Sequence, residues 1–403
     1  MKIIQVTASY KPAFIYGGPI QSVGKLCEAL IQHADGGQTK ACIEGSAPLS
    51  LEVITTTANG ADELEIKSGS PQIVDGVPVT YFKRLTKDHT HFSPQLLWHL
   101  RKLLINTKAK EMPTIVHIHA WWNMVSVLSC LVARWYRVPV VLSPRGMLTS
   151  YTQHNRNSIA KRFIHWIIGK RLLRYCHIHA TSTQEQVEIK QMVQSKSSHV
   201  IWNLATKDIH RYNMMNYPAI ADEDQTFRLI FLSRIEEKKG LEILFDALKH
   251  LKKNWHLTIA GAGLPGYLAS LKTITKQLQL ENRITWVGQI ADTEKYALMA
   301  RHDLLVLPSY NENFANVVVE SLSVGTPVLV SNRVGLADYV QENGFGWVCK
   351  LNADDLRQQL EVAYHDLDKR RWIRASAPEL IQSAFSEKTL VNNYLRMYEE
   401  VLA

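Results

Sequence analysis

Two glutamates eight residues apart, Glu312 and Glu320, stand in PSYNENFANVVVE (308–320), directly after an apolar run that ends at Leu307. An irregular polar turn followed by an apolar stretch reads as a strand end leading into a helix that begins near Asn316. The first-turn amides of such a helix face the strand end and can receive an anion. Glu320 then lies about one turn into the helix and Glu312 in the loop before it, so the two carboxylates reach different groups. Carboxylates accept hydrogen bonds from vicinal hydroxyls, which makes a sugar and a ribose natural partners. A glycosidase acid/base pair is the competing use. One helix-capping carboxylate beside a solvated one is the plain structural alternative.

Cations stand in a second loop, SRIEEKKG (233–240), where Arg234 and Lys239 flank a turn after the apolar run FRLIFLS. A forked guanidinium and a point-charge ammonium suit a diphosphate; two solvated charges are the alternative, and Glu236, Glu237 and Lys238 read as solvated. Gly17 and Gly18 precede Pro19, a combination that suits a helix start open to an anion or simply a tight turn. Gly261 and Gly263 in AGAGLPG allow close backbone approach, but the dinucleotide spacing is incomplete and no acidic ribose reader follows at a strand end. In HIHAWWN (117–123) the two histidines share one strand face, and no third ligand stands near them in sequence. His119, nearer the strand's carboxyl end, is the better cleft histidine, and His117 reads as core. Arg145 follows the next strand, where it meets either a ligand phosphate or a surface carboxylate.

These loops need strands to hold them. In the amino-terminal half, apolar β-branched runs at 3–9, 51–57, 77–82, 114–120, 138–143, 176–182 and 199–203 alternate with helix-length segments at 19–33, 93–110, 122–137 and 183–194. The pattern resumes after the acidic, proline-containing stretch 216–227, with strands at 227–233, 256–261, 283–288, 303–309, 326–331 and 346–350. Continuous apolar strands separated by helices indicate parallel sheets covered on both faces. Ligands in such sheets bind at the strands' carboxyl ends. The last helix, about 387–402, is amphipathic, with Leu390, Tyr394, Met397, Tyr398 and Val401 on one side.

At 403 residues the chain exceeds what one core supports, and two domains of about 200 residues follow. No apolar run reaches membrane-spanning length, and the amino terminus reads as a buried strand rather than a leader. The five cysteines, Cys27, Cys42, Cys130, Cys176 and Cys349, lack metal-site spacing and read as free thiols in a reducing cytoplasm. Residues 1–205 carry a net charge of +11 and residues 206–403 one of −2. A basic half can face nucleic acid, an anionic membrane or a phosphorylated substrate, or serve solubility alone. HNRNSIAKRFIHWIIGKRLLRY (154–175) is basic and apolar together. It reads as an interfacial segment or, since its apolar positions form no clean stripe, as a helix with snorkelling cations.

Taken together, the loops resemble the retaining glycosyltransferases of family 4, which have the GT-B fold. The resemblance covers nearly the whole chain and is strongest from Phe231 to Ser331. Its most specific part, residues 308–331, keeps the paired glutamates with seven residues between them, then Gly325, Thr326 and Pro327. Arg234 and Lys239-Gly240 stand upstream at the family's usual place. The resemblance implies an α/β architecture of two doubly wound, Rossmann-like domains facing across a cleft. An acceptor domain would span 1–205 and a donor domain 206–386, and a helix over 387–403 would cross back onto the first. It implies retaining transfer of a sugar from a UDP- or GDP-sugar, UDP slightly favoured, to a hydroxyl acceptor. It further implies no metal or other cofactor, no nucleic acid, and a cytoplasmic setting in surface polysaccharide synthesis. A lipid-linked saccharide acceptor and peripheral contact with the inner membrane would accompany it.

Residue roles follow from the same resemblance. Arg234 and Lys239 would grip the diphosphate, Glu312 the transferred sugar and Glu320 the ribose. The backbone at Asn313, Phe314 and Ala315 would approach sugar and phosphate, with Val317 and Val318 continuing that wall. Gln289 and Ile290 would read the base, and Gly261 and Gly263 would line the donor site. Gly17, Gly18 and Arg145 would meet phosphate, and His119 the donor sugar. Two family glycines are replaced by Asn313 and Ala315, which bears on the sugar pose. Trp202-Asn203-Leu204 replaces a common Pro-Asn-Gly at the hinge. An epimerase or hydrolase of the same fold, or an inactive nucleotide-sugar-binding subunit, is the rival reading.

Overall fold

Strand β1 (Lys2–Val6) consists of KIIQV and is buried beyond its first residue, because it pairs on both sides. The computed structural model describes residues 1–35, 49–88, 90–148, 169–204 and 226–403. Its contacts divide the chain into two compact units, Met1–Leu204 with Glu387–Ala403, and Ala205–Ser386.

In the first unit α1 (Gly18–Asp35) follows β1, and β2 (Ser50–Thr56) pairs parallel with β1. A short antiparallel pair, β3 (Ala58–Asn59) and β4 (Asp62–Glu63), precedes the hairpin of β5 (Pro71–Val74) and β6 (Val77–Phe82). Next come α2 (Pro94–Ala109), β7 (Thr114–His119), α3 (Met124–Trp135) and β8 (Val140–Ser143). The described part of the unit continues with α4 (Lys170–Leu173), β9 (His177–Ala180), α5 (Thr183–Met192) and β10 (Ser197–Val200). The sheet order is β10-β9-β8-β7-β1-β2-β6-β5, parallel except for the hairpin edge strand β5. Every residue of β7 is buried. That is the expected burial for a central parallel strand covered on both faces. Asn123 caps α3 by accepting from the Ser126 amide at 2.8 Å, which fixes how the chain leaves β7.

The second unit opens with β11 (Phe227–Leu232), a 3-10 turn at Glu237–Lys239, α6 (Leu241–Lys249) and β12 (Trp255–Ala260). Helix α7 (Pro265–Gln277), β13 (Ile284–Gly288), α8 (Asp292–Ala300), β14 (Leu304–Leu307) and α9 (Asn316–Ser323) follow. Last come β15 (Val328–Ser331), α10 (Ala337–Glu342), β16 (Gly346–Cys349), α11 (Ala353–His365) and α12 (Leu367–Ala384). All six strands are parallel in the order β13-β12-β11-β14-β15-β16. The order reverses between β11 and β14, which makes their carboxyl ends a topological switch point.

The final helix, α13 (Glu387–Leu402), belongs to the first unit. It buries Leu390, Val391, Tyr394, Met397, Tyr398 and Val401 against α1 and β7. The helix thus crosses back onto the amino-terminal unit as the resemblance implied. Residues 216–225 of the expected linker 216–227, and residues 154–168 of the basic segment 154–175, lie outside the described residues. So does Cys42; the other four cysteines are buried free thiols.

Candidate active site

The Lys239 ammonium meets the Glu312 carboxylate across 73 residues of sequence. Lys239 closes the 3-10 turn after β11, and Glu312 lies in the loop after β14, so both sit at the switch point of the second unit. Local backbone explains the meeting. Gly240 adopts a φ of 72°, and a Cβ there would stand 2.2 Å from the Pro308 carbonyl oxygen. Only glycine lets the two loops pass this close. The Tyr310 amide donates to the Lys238 carbonyl at 2.8 Å and ties them further. On its other side, the Glu312 amide donates to Arg333 and its carbonyl accepts from Gly335. Lys239 has 6% of its side chain exposed and Glu312 24%, so the cation is buried and the carboxylate opens to solvent.

Glu320 lies on the second turn of α9 and meets a residue that sequence reading did not single out. Lys295, on α8, donates to Glu320 Oε1 at 2.8 Å, and the two side chains are 8% and 10% exposed. Its burial was readable in principle. Lys295 is one helical turn from Met299 and adjacent to Tyr296, both fully buried, and so falls in the apolar stripe of α8.

Arg234 is half exposed and pairs with Glu236 at 2.7 Å, and Glu236 also meets Lys238 at 3.3 Å. Glu236 and Lys238, expected as solvated charges, are partly exposed and also partner each other within this loop. In the structure Arg234 points to its own loop and not to Glu312 or Glu320.

Gly261 serves the protein's own backbone. Its φ is 142°, and a Cβ would lie 1.8 Å from the Ser233 carbonyl oxygen, so the ends of β11 and β12 close on each other. Gly263 forms a parallel bridge with Ile235 there. Phe314 turns into the core against Phe385, with ring centroids 6.2 Å apart, and leaves its backbone at the loop. Ala315 caps α9 in a left-handed conformation with φ 67°. Gln289 is exposed after β13, and Ile290 and Val317 are partly so.

The remaining predicted residues belong to the first unit. Gly17 has φ 70° and ends the 3-10 turn Phe14–Tyr16, and Gly18 is exposed at the start of α1. Arg145 has φ 52°. It donates through Nε to His119 Nδ1 at 3.3 Å and through Nη1 to Asn203 at 3.2 Å. Its Nη2 is buried without a partner among the described residues.

His119 and His117 are both buried, inside a directional chain of hydrogen bonds. His179 Nε2 lies 2.9 Å from the Ile201 carbonyl, which can only accept, so Nε2 carries the proton. Burial lowers the pKa of His179 to about 3, so the ring is neutral and its Nδ1 accepts from Ser143 at 2.6 Å. Ser143 then accepts from His117 Nε2, and His117 Nδ1 accepts from Tyr398 of α13, each at 2.7 Å. His119 donates through Nε2 to Gln5 at 2.7 Å. Burial, together with the neighbouring imidazoles and Arg145, holds His117 and His119 well below the usual imidazole range. Among the described residues no group of three His, Cys, Asp or Glu side chains is arranged to hold a metal ion.

Residues 218–379 match the family of glycosyl transferases group 1, and residues 38–201 match the glycosyl transferase 4-like domain. The chain is a group 1 glycosyltransferase. It is 25% identical over 372 residues to glycogen synthase of Mycobacterium tuberculosis, a match covering 87% of this chain and 82% of that one. It is 27% identical over 173 residues to the putative colanic acid biosynthesis glycosyltransferase WcaL of Escherichia coli, covering 40% of this chain and 42% of that one. Several curated relatives are, like WcaL, matched over only about half of their own length. Among solved structures, Anabaena Alr3699/HepE in complex with UDP and glucose superposes with a TM-score of 0.70 at 20% identity, covering 99% of this chain and all of that one. The fold of this glycosyltransferase is accordingly GT-B.

Proposed function

We propose that this glycosyltransferase moves a sugar from a UDP- or GDP-sugar to a hydroxyl with retention of configuration, in surface polysaccharide synthesis. The observation that carries the reading is the buried Lys239 ammonium on the Glu312 carboxylate at the switch point of a parallel sheet. An ammonium fixed there can stabilise the charge that develops on a leaving diphosphate, and no metal ion is required for that role. Arg234, half exposed on the same loop, joins it by exchanging Glu236 for phosphate. Glu312 orients the sugar hydroxyls and Glu320 takes the ribose diol, while the turn at Asn313–Ala315 and the start of α9 receive phosphate oxygens. Val317 lines the sugar, Gln289 and Ile290 read the base, and Gly261 and Gly263 shape the loop beneath.

In the reaction, the bond from the anomeric carbon to the diphosphate breaks with its electron pair on the phosphate oxygen. The acceptor oxygen bonds to that carbon on the face the nucleotide leaves. Its proton passes to the departing phosphate oxygen, so no dedicated side-chain base is needed. In the first unit Gly17 and Gly18 meet phosphate, and Arg145, held by His119, contributes its buried Nη2. UDP is favoured as the nucleotide, a reading supported by the UDP bound to HepE. A lipid-linked saccharide acceptor and a peripheral position on the cytoplasmic face of the inner membrane complete the proposal. The exposed tryptophans Trp98 (55%) and Trp135 (81%) among basic residues support it.

Screening UDP, GDP and their sugars by thermal shift tests the donor, since a ligand at 100 times its Kd stabilises by about 2.7 kcal/mol. Lys239→Ala is expected to lower turnover about 10²- to 10³-fold. Near-normal turnover in that variant contradicts the assignment. Sugar release without any acceptor, in amounts equal to the donor consumed, turns the reading to a hydrolase.

A further inference from the structure

Lys295 and Glu320 form a nearly enclosed ion pair, 2.8 Å apart, between α8 and α9. Taking both charges out of water is costly, and their mutual attraction only partly offsets that cost. An apolar pair of similar volume would join the two helices as well or better. What the ion pair adds is a carboxylate with a fixed orientation. Glu320 Oε1 is engaged by the ammonium, and the carboxylate cannot rotate without breaking that bond. The chain reaches Lys295 five residues after Ile290. One short segment therefore carries both the proposed base-reading loop and the cation that holds the proposed ribose reader.

We propose that Lys295 is a positioning residue for the nucleotide. It holds Glu320 in the one rotamer that accepts both hydroxyls of a ribose vicinal diol, and so sets the preference for ribonucleotides over their 2′-deoxy analogues. The inference rests on the donor reading above, and goes beyond it by giving a role to a residue that does not itself touch the sugar. A long flexible carboxylate offered to a diol loses conformational entropy on binding. When Lys295 holds it, that loss is taken on folding instead, so the diol meets an acceptor already in position.

The test measures binding of UDP, 2′-deoxy-UDP, GDP and 2′-deoxy-GDP to the full chain by calorimetry, with donor KM and kcat alongside. The wild type is expected to favour the ribonucleotide about tenfold or more. In Lys295→Met the ribonucleotide weakens about 10- to 100-fold, the deoxy form changes little, and their ratio falls toward one. KM for the donor rises while kcat at saturation moves far less, the signature of lost uniform binding. Lys295→Gln keeps a hydrogen-bond donor and guards against misfolding of the methionine variant; it should lose most of the preference. Lys295→Arg should recover much of it. A folded Met or Gln variant that keeps the wild-type ratio overturns the proposal. A wild-type chain that binds neither UDP nor GDP sinks the donor reading itself, and this inference with it, so the two failures are told apart.

Discussion

At Ala315 one methyl group carries a measurable cost. The residue is left-handed, with φ 67°, and is buried at the start of α9. An L-residue in that region is destabilised by about 1–2 kcal/mol, while glycine adopts it freely. Glycine also loses more freedom on folding, about 0.4–1 kcal/mol. Ala315→Gly is therefore expected to stabilise the second unit by about 0.5–1 kcal/mol, read from the denaturant midpoint; a lower midpoint would contradict the strain argument. Residue types at this site were legible in the sequence, because Arg234, Lys239 and Glu312 fall in the loops that follow strands and Glu320 in the helix after one of those loops. Their pairing was not. Whether Lys239 meets Glu312 or Glu320 depends on which loops become neighbours, and that is fixed by sheet order and by the approach of Gly240 to Pro308. Lys295 was passed over because a lone lysine on a helix ordinarily faces water.

Among the elements, the contact of α13 with β7 and β9 gives the clearest pH response. His117 and His179 are neutral in the fold because burial opposes their charge, His179 down to about 3. The unfolded chain takes up these protons near pH 6.5. The stability gained from each neutral ring is complete above that pH and is lost as pH falls below it, for His179 down to about 3. Between pH 6.5 and 5.5 each ring should cost about 1 kcal/mol. Urea midpoints measured across this range test the sign, with His117→Gln expected to flatten the slope. His119 beside these rings and His302 in the second unit, also lowered by burial, add to the parent curve, so the difference between variant and parent is the telling quantity. Strands were the easiest elements to read, since continuous apolar runs mark central parallel strands. Strand β6 was read at 77–82, but its hairpin partner β5 escaped although Asp75-Gly76, at φ 50° and 81°, is a strong two-residue turn signal. The short β5 carries too little apolar pattern to stand out beside its neighbours. The histidine chain was legible only as two residues on one strand face, because Gln5, Ser143, His179 and Tyr398 come from four other elements.

For the molecule as a whole, charge and surface chemistry concentrate in the first unit. Trp98 on α2 has Arg101 5.0 Å and Lys102 5.6 Å from its ring centroid. Arg101 donates to Tyr136, next to the exposed Trp135, and Arg134 donates to the Arg171 carbonyl beside exposed Lys170 and Arg174. Aromatic rings among cations are the composition of a surface that rests on anionic headgroups. Of the basic stretch 154–175, only the end around α4 is described, and there Leu172 and Leu173 are buried while the cations face out. No described helix is long and apolar enough to cross a membrane. Flotation with anionic vesicles should show binding at low salt that weakens at high salt and drops further in a Trp98→Ala, Trp135→Ala double variant. Binding indifferent to salt and to both tryptophans removes the peripheral reading.

The first unit is discontinuous in sequence, since its closing helix comes after the whole of the second unit. Domains ordinarily condense in the order of synthesis. Here the amino-terminal unit must wait, its imidazole chain lacking Tyr394 and Tyr398, until all of the contiguous second unit has emerged. The part translated later is thus free to finish first, and a nascent chain arrested before residue 387 would hold a completed carboxyl-terminal unit behind an unfinished amino-terminal one.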